Sequence, residues 1–134
     1  MVFDRVDAER ESEFALLAAD VVADLEFLGV LVFDAGDSTK GTQVPPGHAY
    51  VFYDPIIDGM PGVYVAWEPS DQAVDAITGL AAAPPRRKRL VHAGWRAMID
   101  ALADTLAAGG WSLDRSDTGT YELTIRVVGP PEPG

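Results

Sequence analysis

The sequence predicts a single α+β domain, in which an N-terminal helix and a long helix near residues 86–108 pack on a largely antiparallel sheet of about five strands. Three observations carry this reading. The chain has 134 residues, 48% hydrophobic and 23% charged, which is the size and balance of one folded domain spanning residues 1–134. Apolar residues recur at helical steps in two separate stretches. Finally, five of the twelve aromatic residues fall between His48 and Trp67, in two short runs of strand-like composition.

Taken in order, Asp7 is placed to cap a helix running to about Leu28, with acids in its first turn where the helix dipole favours them. Phe14, Leu17, Val21, Leu25 and Leu28 form its apolar stripe. Glu13, Asp20 and Asp24 lie on another face, either a solvated surface or a docking face for a basic partner. Gly29 suits the helix end. Val30 to Phe33 then reads as a short buried strand, and Asp34 to Thr42 as a polar loop rich in turn formers. The loop's Asp-x-Gly-x-Ser-x-Lys spacing superficially resembles a phosphate loop of the actin and sugar-kinase superfamily. That superfamily needs two large lobes, for which this chain has no room, and the spacing is not a Walker A loop.

The central pair follows. His48 to Tyr53 and Gly62 to Trp67 read as antiparallel strands, separated by Asp54-Pro55-Ile56-Ile57-Asp58-Gly59-Met60-Pro61, whose prolines and Asp-Gly pair turn the chain. Ala49, Val51 and Tyr53 alternate with Tyr50 and Phe52, and Val63, Val65 and Trp67 alternate with Tyr64 and Ala66. Both faces are therefore apolar, and two helices cover one face comfortably, so the second face is a candidate contact surface.

Ser70 is positioned to cap a short helix through Val74 and Ile77, ended by Gly79. Pro84 and Pro85 lead into the long helix, with Val91, Trp95, Met98, Leu102 and Leu106 as its stripe and Gly109-Gly110 as its stop. Trp111 to Arg115 opens a last hairpin turned at Ser116 to Gly119. Tyr121, Leu123, Ile125 and Val127 alternate with polar residues as a half-buried strand, and 129–134, rich in proline, reads as a flexible tail.

Charge narrows the function. The net charge is −11, which repels nucleic acid and anionic membrane as a whole-molecule field. Residues 1–37 carry ten acids and two bases, whereas four of the ten bases stand together at Arg86, Arg87, Lys88 and Arg89. That block has the wrong sign for a helix N-terminus, so the sequence predicts that carboxylates of the acidic helix or of another subunit neutralise it. With no cysteine there is no disulfide framework or thiolate chemistry. No apolar run reaches a membrane span, the N-terminus does not read as a secretory signal, and a cytoplasmic location is expected.

The order of helix, three strands, short helix, long helix and two strands, with the small size and acidity, looks similar to the architecture of type III secretion chaperones and YbjN-like proteins. That resemblance implies a dimeric, non-enzymatic, partner-binding protein. The residues themselves point the same way. The expected function is an acidic protein-interaction or assembly module, chaperone-like or adaptor-like and homodimeric, with no cofactor and no metal. Tyr50, Ile56, Ile57, Met60, Tyr64 and Trp67 are its candidate partner-binding residues, because aromatic and aliphatic side chains at a turn and on an uncovered sheet face favour burial against something. The alternative is a small enzyme or ligand-binding domain near His48 and the Asp54–Asp58 loop, where a histidine and carboxylates could converge for general acid–base work. Separately, Asp34 and Asp37 could join Asp54 and Asp58 around a hard cation such as Mg²⁺ or Ca²⁺, although the spacing is not that of an EF-hand.

Overall fold

The computed structural model describes residues 4–115 and 123–133. Helix α1 spans Ala8–Phe27, and the Asp7 carboxylate caps it by accepting from the Arg10 backbone N–H at 2.8 Å. Ala18, Val21 and Leu25 are buried, with Phe14 and Leu17 packed beside them. Leu28, expected on this stripe, is instead the C-cap residue and 59% exposed, because the 100° step that aims a stripe ends with the helix. Gly29 follows with φ +85°, a conformation that costs glycine little and lets the chain turn back towards the sheet.

Strand β1 is Val32–Asp37 rather than Val30 to Phe33, so the first four residues of the expected polar loop are strand. It pairs parallel with β2, with a register shift between Asp34 and Gly36. Backbone pairing to a neighbouring strand has overridden the turn-forming composition of Asp34-Ala35-Gly36-Asp37. The loop reading resumes only at Ser38–Lys40, a 3-10 turn capped by Asp37, which accepts from Thr39 N at 2.9 Å.

Strands β2 (His48–Asp54) and β3 (Gly62–Glu68) form the antiparallel centre, with Val51 opposite Val65 and Phe52 opposite Tyr64. Strands β4 (Ser112–Asp114) and β5 (Ile125–Gly129) complete an open sheet in the order β1-β2-β3-β5-β4. Only the β1–β2 pairing is parallel among the described ladders. Gly129, expected in the tail, is the last residue of β5, while Leu123, expected in this strand, lies in a turn with φ +57°, so β5 begins only at Ile125; the expected turn at 116–119 and the strand positions 120–122 lie outside the described residues.

Helix α2 (Asp71–Thr78) is capped by Ser70 Oγ, which accepts from Ala73 N at 3.1 Å. Helix α3 covers Pro85–Ala108. Its buried stripe runs through Ile99, Leu102, Ala103 and Leu106, with Trp95 packed against it, while Met98 is exposed. Steps of three and four from Trp95 allow either Met98 or Ile99, so only the packing against the sheet selects between them. Both long helices serve one sheet face: Ala18, Val21 and Leu25 from α1 and Ile99 to Leu106 from α3 share a core with Ala49, Val51, Val63, Val65, Ile125 and Val127. Among the described residues, no helix is long and apolar enough to cross a membrane.

Candidate functional site

The second sheet face holds a separate cluster. Strand alternation sends Tyr50, Phe52, Tyr64 and Ala66 to this side, where Ala35 and Met60 join them. The rings overlap in sequence along the face: Tyr50 and Phe52 have centroids 5.8 Å apart at 26°, and Phe52 and Tyr64 5.4 Å apart at 18°. Such stacked pairs add to the burial of their area. Burial pushes the Tyr50 phenol up, with the nearby Glu68 charge adding to it. Burial also raises the Glu68 carboxyl, which faces the additional repulsion of Asp71.

Met60 reaches this cluster because the β2–β3 loop is wired to the strands. The buried Asp54 carboxylate accepts from Ile56 N at 2.9 Å and from Met60 N at 3.2 Å, and Tyr64 donates its hydroxyl to the Met60 carbonyl at 2.7 Å. Arg126 donates to the Pro61 carbonyl at 3.0 Å. On the loop's outer side the N-terminal segment is laced to it, with Val6 N donating to Pro55 O and Ile57 N to Asp4 O.

These placements divide the six residues expected to form one contact surface. Tyr50, Tyr64 and Met60 come together, but Tyr64 is fully buried. Trp67 lies on the opposite face and packs against the helix-side core. Ile56 is half-buried beside the N-terminal segment, bridging to Arg5, and Ile57 is 53% exposed.

The other expected site does not assemble. His48 and Asp54 are the two ends of β2, and six strand steps place them roughly 20 Å apart. The His48 ring lies 3.0 Å from the Pro46 carbonyl through Nδ1. The expected aspartates are likewise turned to separate tasks, with Asp54 holding its own loop and Asp37 receiving Arg5. Arg5 donates to Asp37 at 2.6 Å and to Glu11 at 2.7 Å. Burial alone would push the Asp37 carboxyl up, but the hydrogen bonds from Arg5 and Thr39 outweigh it and hold it below its usual range. Among the described residues no group of three or more histidines, aspartates and glutamates is arranged to hold a metal ion.

For the basic block, one of the two expected partners is ruled out. Ion pairs among the described residues join Arg5 to Glu11 and Asp37, and Arg115 to Asp100, so the acidic helix of the same chain does not neutralise Arg86, Arg87, Lys88 and Arg89. All four are exposed in the first turns of α3, which has no acid there and no capping side chain. Of the four, Arg87 lines a cavity of about 390 Å³ between α2 and α3, walled also by Ala73, Ala76, Ala83, Leu90 and Val91.

The end of α1 is a region that sequence reasoning passed over. Phe27 is 90% exposed, and Leu28 and Leu31 stand beside it in the chain, also exposed. A signal for it exists in the sequence: Leu16, Ala23 and Phe27 recur at seven and four residues, a second apolar row on the helix face opposite the core stripe. Comparison with family models, with curated proteins and with solved structures returns no match for this chain.

Proposed function

We propose that this chain is a non-enzymatic, acidic interaction module, adaptor-like or chaperone-like in role, that works as a homodimer. The observation supporting this reading is the apolar surface at the end of α1, where Phe27 at 90%, Leu28 at 59% and Leu31 at 65% exposure stand within five residues of one another. Scattered apolar residues on a surface need no explanation, but a group that includes a nearly bare phenylalanine favours an interface. Burying one such side chain fully contributes about 1.5–3 kcal/mol, enough for three together to favour association appreciably.

The reading keeps Ile57, with its half-buried neighbours Ile56 and Met60, as the surface for a partner protein, and gives Tyr64 and Trp67 to the fold. Sedimentation velocity over a range of concentrations tests the self-association directly. A mass that doubles as concentration rises is expected, and a monomer persisting at high micromolar concentration would overturn the reading.

A further inference from the structure

We propose that a second copy of this chain docks the end of its α1 into the groove between α2 and α3, with Phe27 filling the cavity there and Glu26 meeting Arg87. This rests on the self-association reading above and specifies its interface.

Charge is the first argument. The last turn of α1 carries no base and holds Asp24 and Glu26, while the first turn of α3 carries no acid and holds Arg86, Arg87 and Lys88. Each helix end thus bears charges of the sign its own dipole disfavours. Bringing the two ends together between copies places carboxylates against guanidinium groups and offsets both mismatches at once. Within one chain Asp24 accepts from the Trp111 indole at 2.8 Å, but Glu26 and the basic block enter no ion pair among the described residues.

Shape and polarity agree with charge. The exposed apolar residues closest in the chain to the acidic end are Phe27, Leu28 and Leu31, and those closest in the chain to the basic end are Leu80 and Leu90. The cavity between α2 and α3 is walled largely by alanine, leucine and valine side chains and measures about 390 Å³, ample for a phenyl ring. An aromatic anchor in an apolar pocket with an arginine at its side has the composition of an interface hot spot. The contact joins two different patches, so in a two-fold dimer it occurs twice, each copy supplying one helix end and one groove.

The test is sedimentation velocity on the full chain and on Phe27→Ser, Arg87→Glu, Glu26→Arg and the Glu26→Arg, Arg87→Glu double variant, with a thermal melt of each. Phe27 is almost bare, and each charge reversal corrects the sign at its own helix end, so none should weaken the folded monomer. Each single variant is expected to weaken dimerisation by roughly tenfold or more, and the double variant to recover much of that loss. A dimer indifferent to all three single substitutions would overturn this interface while leaving self-association standing. A wild-type chain that stays monomeric would overturn both.

Discussion

Trp111 donates its indole N–H to the Asp24 carboxylate at 2.8 Å, joining the last turns of α1 to the residue just before β4 across 87 positions of sequence. The indole is otherwise buried in the helix-side core, so its N–H needs an acceptor there, as a buried donor left without one costs about 1–3 kcal/mol. Asp24→Ala should therefore lower stability by about 1 kcal/mol, reduced somewhat by removing an acid from a helix C-terminus. Asp24→Asn, which keeps an acceptor and removes the charge, should be close to neutral. Urea unfolding of the two variants checks the difference, and equal losses would show that the hydrogen bond contributes little.

The Arg5–Asp37 pair leads to a pH prediction. The folded Asp37 carboxyl is held below its usual range. Its contribution to stability is then present in full above the unfolded carboxylate range and is lost as pH falls through the folded value. Asp37→Asn should cost about 1 kcal/mol near neutrality, a modest figure because Arg5 remains open to solvent. The gap from wild type should close in acid. Melting temperatures of both proteins across pH measure this, and a gap independent of pH would contradict it.

Glu68 should behave in the opposite sense. Burial, with Asp71 adding, raises its folded carboxyl above the unfolded value. Its favourable contribution is complete below the unfolded value and is lost as pH rises through the folded one. At neutral pH Glu68→Gln should stabilise the fold by a few tenths of a kcal/mol after solvent screening, or about 1 °C in melting temperature. That gain should disappear in acid, where both side chains are neutral.

The aromatic face and the β2–β3 loop separate by stability. Tyr64 is fully buried and stacks on Phe52, so Tyr64→Ala should cost about 3–5 kcal/mol. Tyr64→Phe should cost about 1 kcal/mol by removing the hydrogen bond to Met60 O. Ile57→Ser, at a half-open position, should stay within about 0.5 kcal/mol of wild type. Ile57 is therefore the residue with which to probe a partner contact, since a lost interaction there would not report unfolding. Chemical denaturation of the three variants tests the ranking.

How much of this was legible in advance depends on the range of the interactions concerned. The three helices, the capping roles of Asp7 and Ser70, the central strand pair to within one residue at its ends and the alternation of its faces were readable from sequence. Caps, helical hydrogen bonds and strand alternation join residues a few positions apart, so local spacing alone determines them. The parallel partner that extends β1 through Asp37, the choice of Ile99 over Met98 for the core, and the pairing of Arg5 with Asp37 were decided only by the tertiary structure. So were the opposite placements of Tyr64 and Trp67 and the absence of an ion pair from Arg86 to Arg89 among the described residues. Each of these depends on which distant segment comes to lie alongside, and periodicity describes one element at a time. The bare Phe27 is the clearest case: its spacing marks a second face on α1, but only the packed structure leaves that face uncovered.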